Sequence, residues 1–117
     1  MANPHKGEVS FNSEGTDYTL AFTMNSLAEI EDASGKTFPK LSEELSDPER
    51  ISIKSLRVMF WGGLLEKHPG LSLKDAGTIM QSVAGGMLGA LTLVNDAFVK
   101  SFPPAEEKAR PPKPDQN

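Results

Sequence analysis

The sequence predicts an α+β fold: an N-terminal β-hairpin packed on a small bundle of four to five helices, followed by a Pro-rich tail. Three observations carry that reading. Apolar residues alternate with a period of two before residue 24, as on a half-buried strand. Beyond Asn25 they recur every three to four residues, the spacing of a helix face. Breaks at Gly35, "SDPER", "HPG" and "AGG" then divide the helical part into segments. At 117 residues the chain is long enough for one core and short of two, so residues 1–102 are read as a single domain.

The hairpin is written in "GEVSF" and "DYTLAFT", which flank "NSEGT". Val9 and Phe11 alternate with Ser10 and Asn12, and Tyr18, Leu20 and Phe22 with Thr19, Ala21 and Thr23. Such a hairpin is marginal alone in water and must dock on its own helices or on a neighbouring chain. Asn25 or Ser26 is placed to cap a first helix that turns Leu27 and Ile30 inward and ends at Gly35. A short acidic helix over residues 39–46 offers Leu41 and Leu45 to the core. Ser52 caps a long helix over residues 53–67. Its apolar set includes Ile53, Leu56, Phe60 and Leu64, with Val58, Trp61 and Leu65 as an adjacent stripe, which predicts burial on more than one side. "HPG" stops that helix, and Ser72 with Asp75 forms a capping box for the next, which carries Leu73, Met80 and Val83. A last helix over residues 86–102 aligns Met87, Leu91, Val94, Phe98 and Phe102. Residues 103–117, "PPAEEKARPPKPDQN", have the composition of a disordered tail.

Charge and composition narrow the function classes. The net charge of -4 is unevenly spread: residues 1–50 carry ten acids and four bases. Residues 51–85 hold Lys54, Arg57, Lys67 and Lys74 against Glu66 and Asp75, a faint basic spot and not the basic face of a duplex-DNA binder. The absence of cysteine excludes disulfides, thiolate metal sites and cysteine nucleophiles. The N-terminus lacks the apolar core of a signal peptide. The uncharged stretch over residues 76–95 could span a bilayer by length, yet it holds four glycines with Thr78, Gln81, Ser82 and Thr92, and reads as a buried or interface helix pair. The expected setting is the cytoplasm, with no membrane and no nucleic-acid partner.

No motif implies catalysis or a cofactor. His68, Ser72 and Asp75 lie close in sequence, but Ser72 and Asp75 are already accounted for as caps, and a triad needs a nucleophile bonded to an oriented base. His5 and His68 are too far apart to read as metal ligands, and Glu29, Glu31 and Asp32 spread around a helix. "AGGMLGA" lacks the Lys-Ser/Thr ending of a phosphate loop. Its glycines suit either a helix break with tight packing or close approach of a partner helix. A helix-turn-helix over residues 53–84 has the right length, but only Lys74, Thr78, Gln81 and Ser82 could reach base edges.

The order of features resembles that of a known family. "GEVSF" and "GTDYTLAFTMNSLAEIEDASGKTF" followed by "SLRVMFWGGLLEKHPGLSLKDAGTIM" is similar to the small tail assembly chaperones of gene transfer agents and related siphophages. The resemblance covers residues 7–83 and rests on Asn25, Leu27, Glu29, Glu31, Gly35, Leu56, Trp61, Gly63, Leu64, His68, Pro69, Leu71, Ala76 and Gly77. It implies a non-enzymatic assembly factor that binds a tape measure protein and recruits tail tube subunits, with binding surfaces in place of catalytic residues. A tape measure protein is a long helical chain with apolar stripes, which an adaptable apolar groove can cover. The expected partner-binding residues are Trp61, Leu65, Met80, Met87, Leu88 and Leu91, on this chain or between two copies of it. Two other readings remain: a structural tail or head–tail component retained in the particle, and a small helix-turn-helix regulator.

Overall fold

A computed structural model describes residues 7–102. The expected tail over residues 103–117 lies outside them, as do residues 1–6. The predicted α+β architecture is present: a two-stranded antiparallel hairpin, then five helices. Strands β1 (Val9–Ser13) and β2 (Thr16–Leu20) pair with Phe11 opposite Tyr18 and Ser13 opposite Thr16. The two residues between them, Glu14 and Gly15, have φ of 51° and 83°. Left-handed backbone at both central positions matches the twist of the strands and makes a tight hairpin. Asn12 braces the turn, accepting from the Gly15 N–H at 3.1 Å and donating to Asp17 at 2.9 Å.

The hairpin docks on its own helices. The outward N–H groups of β2 and its extension find partners there: Thr19 donates to His68 Nε2 at 3.1 Å and Ala21 to the Gly63 carbonyl at 2.9 Å. These bonds cover a strand edge that would otherwise template pairing with another chain. On the inward face Phe11 stacks on Tyr18 and meets the Phe60 ring at 5.5 Å.

Helix α1 (Met24–Ser34) is capped by Thr23, two or three residues before the expected cap. Ser26 is the reciprocal partner three residues on: its N–H is accepted by the Thr23 hydroxyl, and its own hydroxyl accepts the Thr23 N–H. A capping box satisfies two amides at once, which Asn25 could not do from its position. Gly35 ends α1, its N–H bonded to the Glu31 carbonyl. Helix α2 (Phe38–Leu45) starts from Thr37 and buries Leu41 and Leu45 as expected.

Helix α3 (Ile53–Leu65) is the central element, touched by α1, α2, α4, α5 and β2. Leu56, Met59, Phe60 and Leu64 are fully buried. Ile53, expected on that core face, is 66% exposed, because it occupies the first helical position, before α3 passes beneath its neighbours. "WGG" at its far end serves two faces. A Cβ at Gly62 would overlap the Ile30 side chain of α1, and one at Gly63 would press on Leu20 and Phe22 at the end of the hairpin. Trp61 is half-buried, and its indole N–H donates to the Leu71 carbonyl at 3.0 Å, tying α3 to the loop that contains "HPG". Helix α4 (Leu73–Gln81) begins at the predicted Ser72–Asp75 capping box, and α5 (Gly86–Ser101) closes the bundle.

Candidate partner-binding surface

The junction between α4 and α5 builds the surface. Gly85 and Gly86 both have left-handed backbone, at φ of 86° and 61°, and turn α5 by 117° from α4. The turn folds back onto the first turn of α5, where a Cβ at Gly89 would collide with the Ala84 carbonyl. Gly85 and Gly89, four residues apart, thus serve close approach within the chain, whereas a Cβ at Gly86 would meet nothing. No single helix among the described residues is long and apolar enough to cross a membrane.

Beside this junction lies an apolar groove of about 410 Å³, lined by Ile53 of α3, Gly77, Met80 and Gln81 of α4, and Gly86 and Met87 of α5. Met87 is 40% exposed, and Leu88, next along the same turn, is 67% exposed. Met80 and Leu91 are 8% and 6% exposed and belong to the core, although Met80 also lends its side chain to the groove floor. Leu65 is partly exposed at the C-terminal end of α3, at the opposite end of that helix from Ile53. The six expected binding residues therefore separate. Met80 and Met87 line one groove, Leu88 is exposed beside Met87 in the chain, Leu91 is buried in the core, and Trp61 and Leu65 sit at the far end of α3.

A second apolar groove, of about 500 Å³, runs between α1, the start of α2 and the end of α5. Its lining includes Met24, Leu27, Phe38, Phe98 and Phe102. Phe98 is its hub, with ring centroids 4.9 Å from Phe38 and 5.4 Å from Phe102. Sequence reasoning aligned Phe98 and Phe102 on α5 but did not find this groove. The available signal was Phe38, a large aromatic placed directly before Pro39 at a helix start. Met24, 72% exposed, belongs to it as well.

The residues of the possible triad are otherwise engaged. Ser72 Oγ accepts the Asp75 N–H at 3.0 Å, and Asp75 accepts the Ser72 N–H at 2.9 Å. His68 faces the hairpin, edge-on to Tyr18 with centroids 5.3 Å apart. Burial holds its imidazole below the ordinary value of 6.5, and the bond from Thr19 occupies the Nε2 lone pair that a proton would need. Among the described residues, no three His, Asp or Glu side chains come together as a metal site. The chain matches no protein-family model, no curated protein and no solved structure.

Proposed function

We propose that the chain is a non-enzymatic tail assembly chaperone, which binds a tape measure protein and helps recruit tail tube subunits during assembly of a phage-like particle. The observation that carries the reading is the open apolar groove at the α4–α5 junction, with Ile53 and Met87 exposed along it and Leu88 exposed beside Met87 in the chain. Exposed apolar side chains clustered around a groove mark a contact surface more often than chance. Methionine is unbranched and polarizable, so Met80 and Met87 can adapt to a helix that presents apolar residues of changing shape. The ordered motifs over residues 7–83 add the family resemblance.

The test uses Met87→Asp and Leu88→Asp. Both positions are exposed and lie in the first turn of α5, where a carboxylate favours the helix dipole. The fold should therefore persist by circular dichroism. Co-purification with a tape measure protein from the same genome should weaken by about tenfold or more, since each change places a charge where about 1.5–3 kcal/mol of apolar burial is expected. Retention of normal binding by both folded variants would refute the assignment. Mass spectrometry of purified particles separates a chaperone, which leaves, from a structural component, which stays.

A further inference from the structure

Two residues of the faint basic spot read from the sequence, Lys54 and Arg57, line a cavity in the fold. Between the end of α1 and the first two turns of α3 lies a space of about 190 Å³, lined by Ser34, Lys36, Ser52, Lys54, Ser55 and Arg57 among others. Three of the twelve basic residues of an acidic chain converge there. One carboxylate answers them: Glu44 pairs with Lys36 at 2.9 Å. Lys36 also donates to Ser55 Oγ at 3.1 Å, and Ser55 is buried. Lys54 and Arg57 have no ion-pair partner among the described residues.

Arg57 carries the argument further. Its Nε is shielded from solvent and has no hydrogen-bond partner among the described residues. A buried polar donor is ordinarily paired. The side-chain stem is held in place by α4, where a Cβ at Gly77 would come within 3.3 Å of Arg57 Cδ. Lys54 breaks a local rule as well. It stands at the second position of α3, where the helix dipole disfavours a cation and the first-turn amides favour an anion. Lys54, Arg57 and the first turn of α3 line one partly open space. The volume is below the range of pockets that enclose a whole drug-sized ligand. It suits one charged group.

We propose that this cavity is an oxyanion-binding site that takes a single carboxylate or phosphate group, held by Arg57 and Lys54 at the start of α3. The site is separate from the apolar groove and does not depend on the chaperone reading. The probes are inorganic phosphate and a blocked tetraglutamate peptide, titrated into the isotope-labelled chain at ionic strength held constant with chloride, with backbone amide shifts as the readout. The expected result is saturable shifts centred on residues 53–57. Lys54→Gln and Arg57→Met should each weaken binding by about tenfold, ~1.4 kcal/mol, while Lys100→Gln, at the far end of α5, should not. Tighter binding of phosphate identifies a phosphate-bearing ligand, and tighter binding of the peptide identifies an acidic protein segment. Either result upholds the site. Shifts that never saturate with either probe would overturn it, as would saturable binding that Lys54→Gln leaves unchanged. If Arg57→Met does not fold, the exposed Lys54 position decides alone.

Discussion

Gly62 is the closest test of how α1 packs on α3. A methyl group there would overlap Cγ1 and Cδ1 of Ile30, which is fully buried in the core. Gly62→Ala therefore sets two effects against each other. The change gains about 1 kcal/mol of helix propensity in the interior of α3. Overpacking a filled core costs about 1–3 kcal/mol. Because Ile30 meets the new methyl with two atoms, overpacking should win, and the single variant should lose about 1–2 kcal/mol. Ile30→Ala alone should lose about 2–5 kcal/mol by leaving a cavity. In the double variant the new methyl enters that cavity, so Gly62→Ala should now stabilise by about 1 kcal/mol. The resulting coupling, about 2–3 kcal/mol, is of the size found for side chains in direct contact. Urea denaturation of the four proteins measures it, with Gly70→Ala as a control at a glycine whose Cβ would meet nothing. If Gly62→Ala is stabilising alone, or if the two changes add within about 0.5 kcal/mol, this account of the α1–α3 contact is wrong.

Further expectations concern the loop, the cap, the hairpin and the last helix. Trp61→Phe keeps an aromatic side chain but leaves the Leu71 carbonyl without its indole partner, and should cost about 1–2 kcal/mol in urea denaturation. Ser72→Ala removes one side of the α4 capping box and should cost about 1 kcal/mol by the same measurement. His68 takes up a proton less readily folded than unfolded. Its contribution is therefore complete above 6.5 and is lost as pH falls through 6.5 toward the lower folded value. Denaturation midpoints at about pH 7.5 and about pH 5 should differ less in His68→Gln than in the parent chain. Leu91→Asp should unfold the domain by circular dichroism, whereas Leu88→Asp, three residues earlier on α5, should not.

The period of the apolar residues gave the hairpin and the helices, because burial repeats every two or three to four residues whatever the partner element is. Stops were legible for a related reason: Gly35, "HPG" and "AGG" disfavour a continuing helix by their own backbone chemistry. Which face of a helix meets which neighbour was not local information. Ile53 fits the same stripe as Leu56 and Phe60, yet only those two lie under other elements. Leu88 and Leu91 look alike in sequence, and the turn at Gly85 and Gly86 decides that one faces outward and the other the core. The cavity at Lys36, Lys54 and Arg57 joins residues from two segments, and its basic character was diluted in a one-dimensional charge count. Thr23 was missed as a cap because its alternation with Phe22 also fits the end of a strand.

Ser101 holds both ends of the described domain. Its hydroxyl accepts the Phe22 N–H at 3.1 Å and donates to the Gly7 carbonyl at 3.2 Å, and Gly7 lies directly against the Ser101 backbone. Position 7 and position 101 are thus neighbours in space. A short peptide could join them and new ends could be opened at the exposed Gly70, giving a circularly permuted chain with the same packing. Met87 stands fourteen residues before Ser101 on one helix, a separation of about 21 Å at 1.5 Å per residue. A reporter or affinity handle joined at either end of the described domain would therefore attach on the same side, a helix length from the apolar groove, so either end can be used to immobilise the protein with that groove turned to solution.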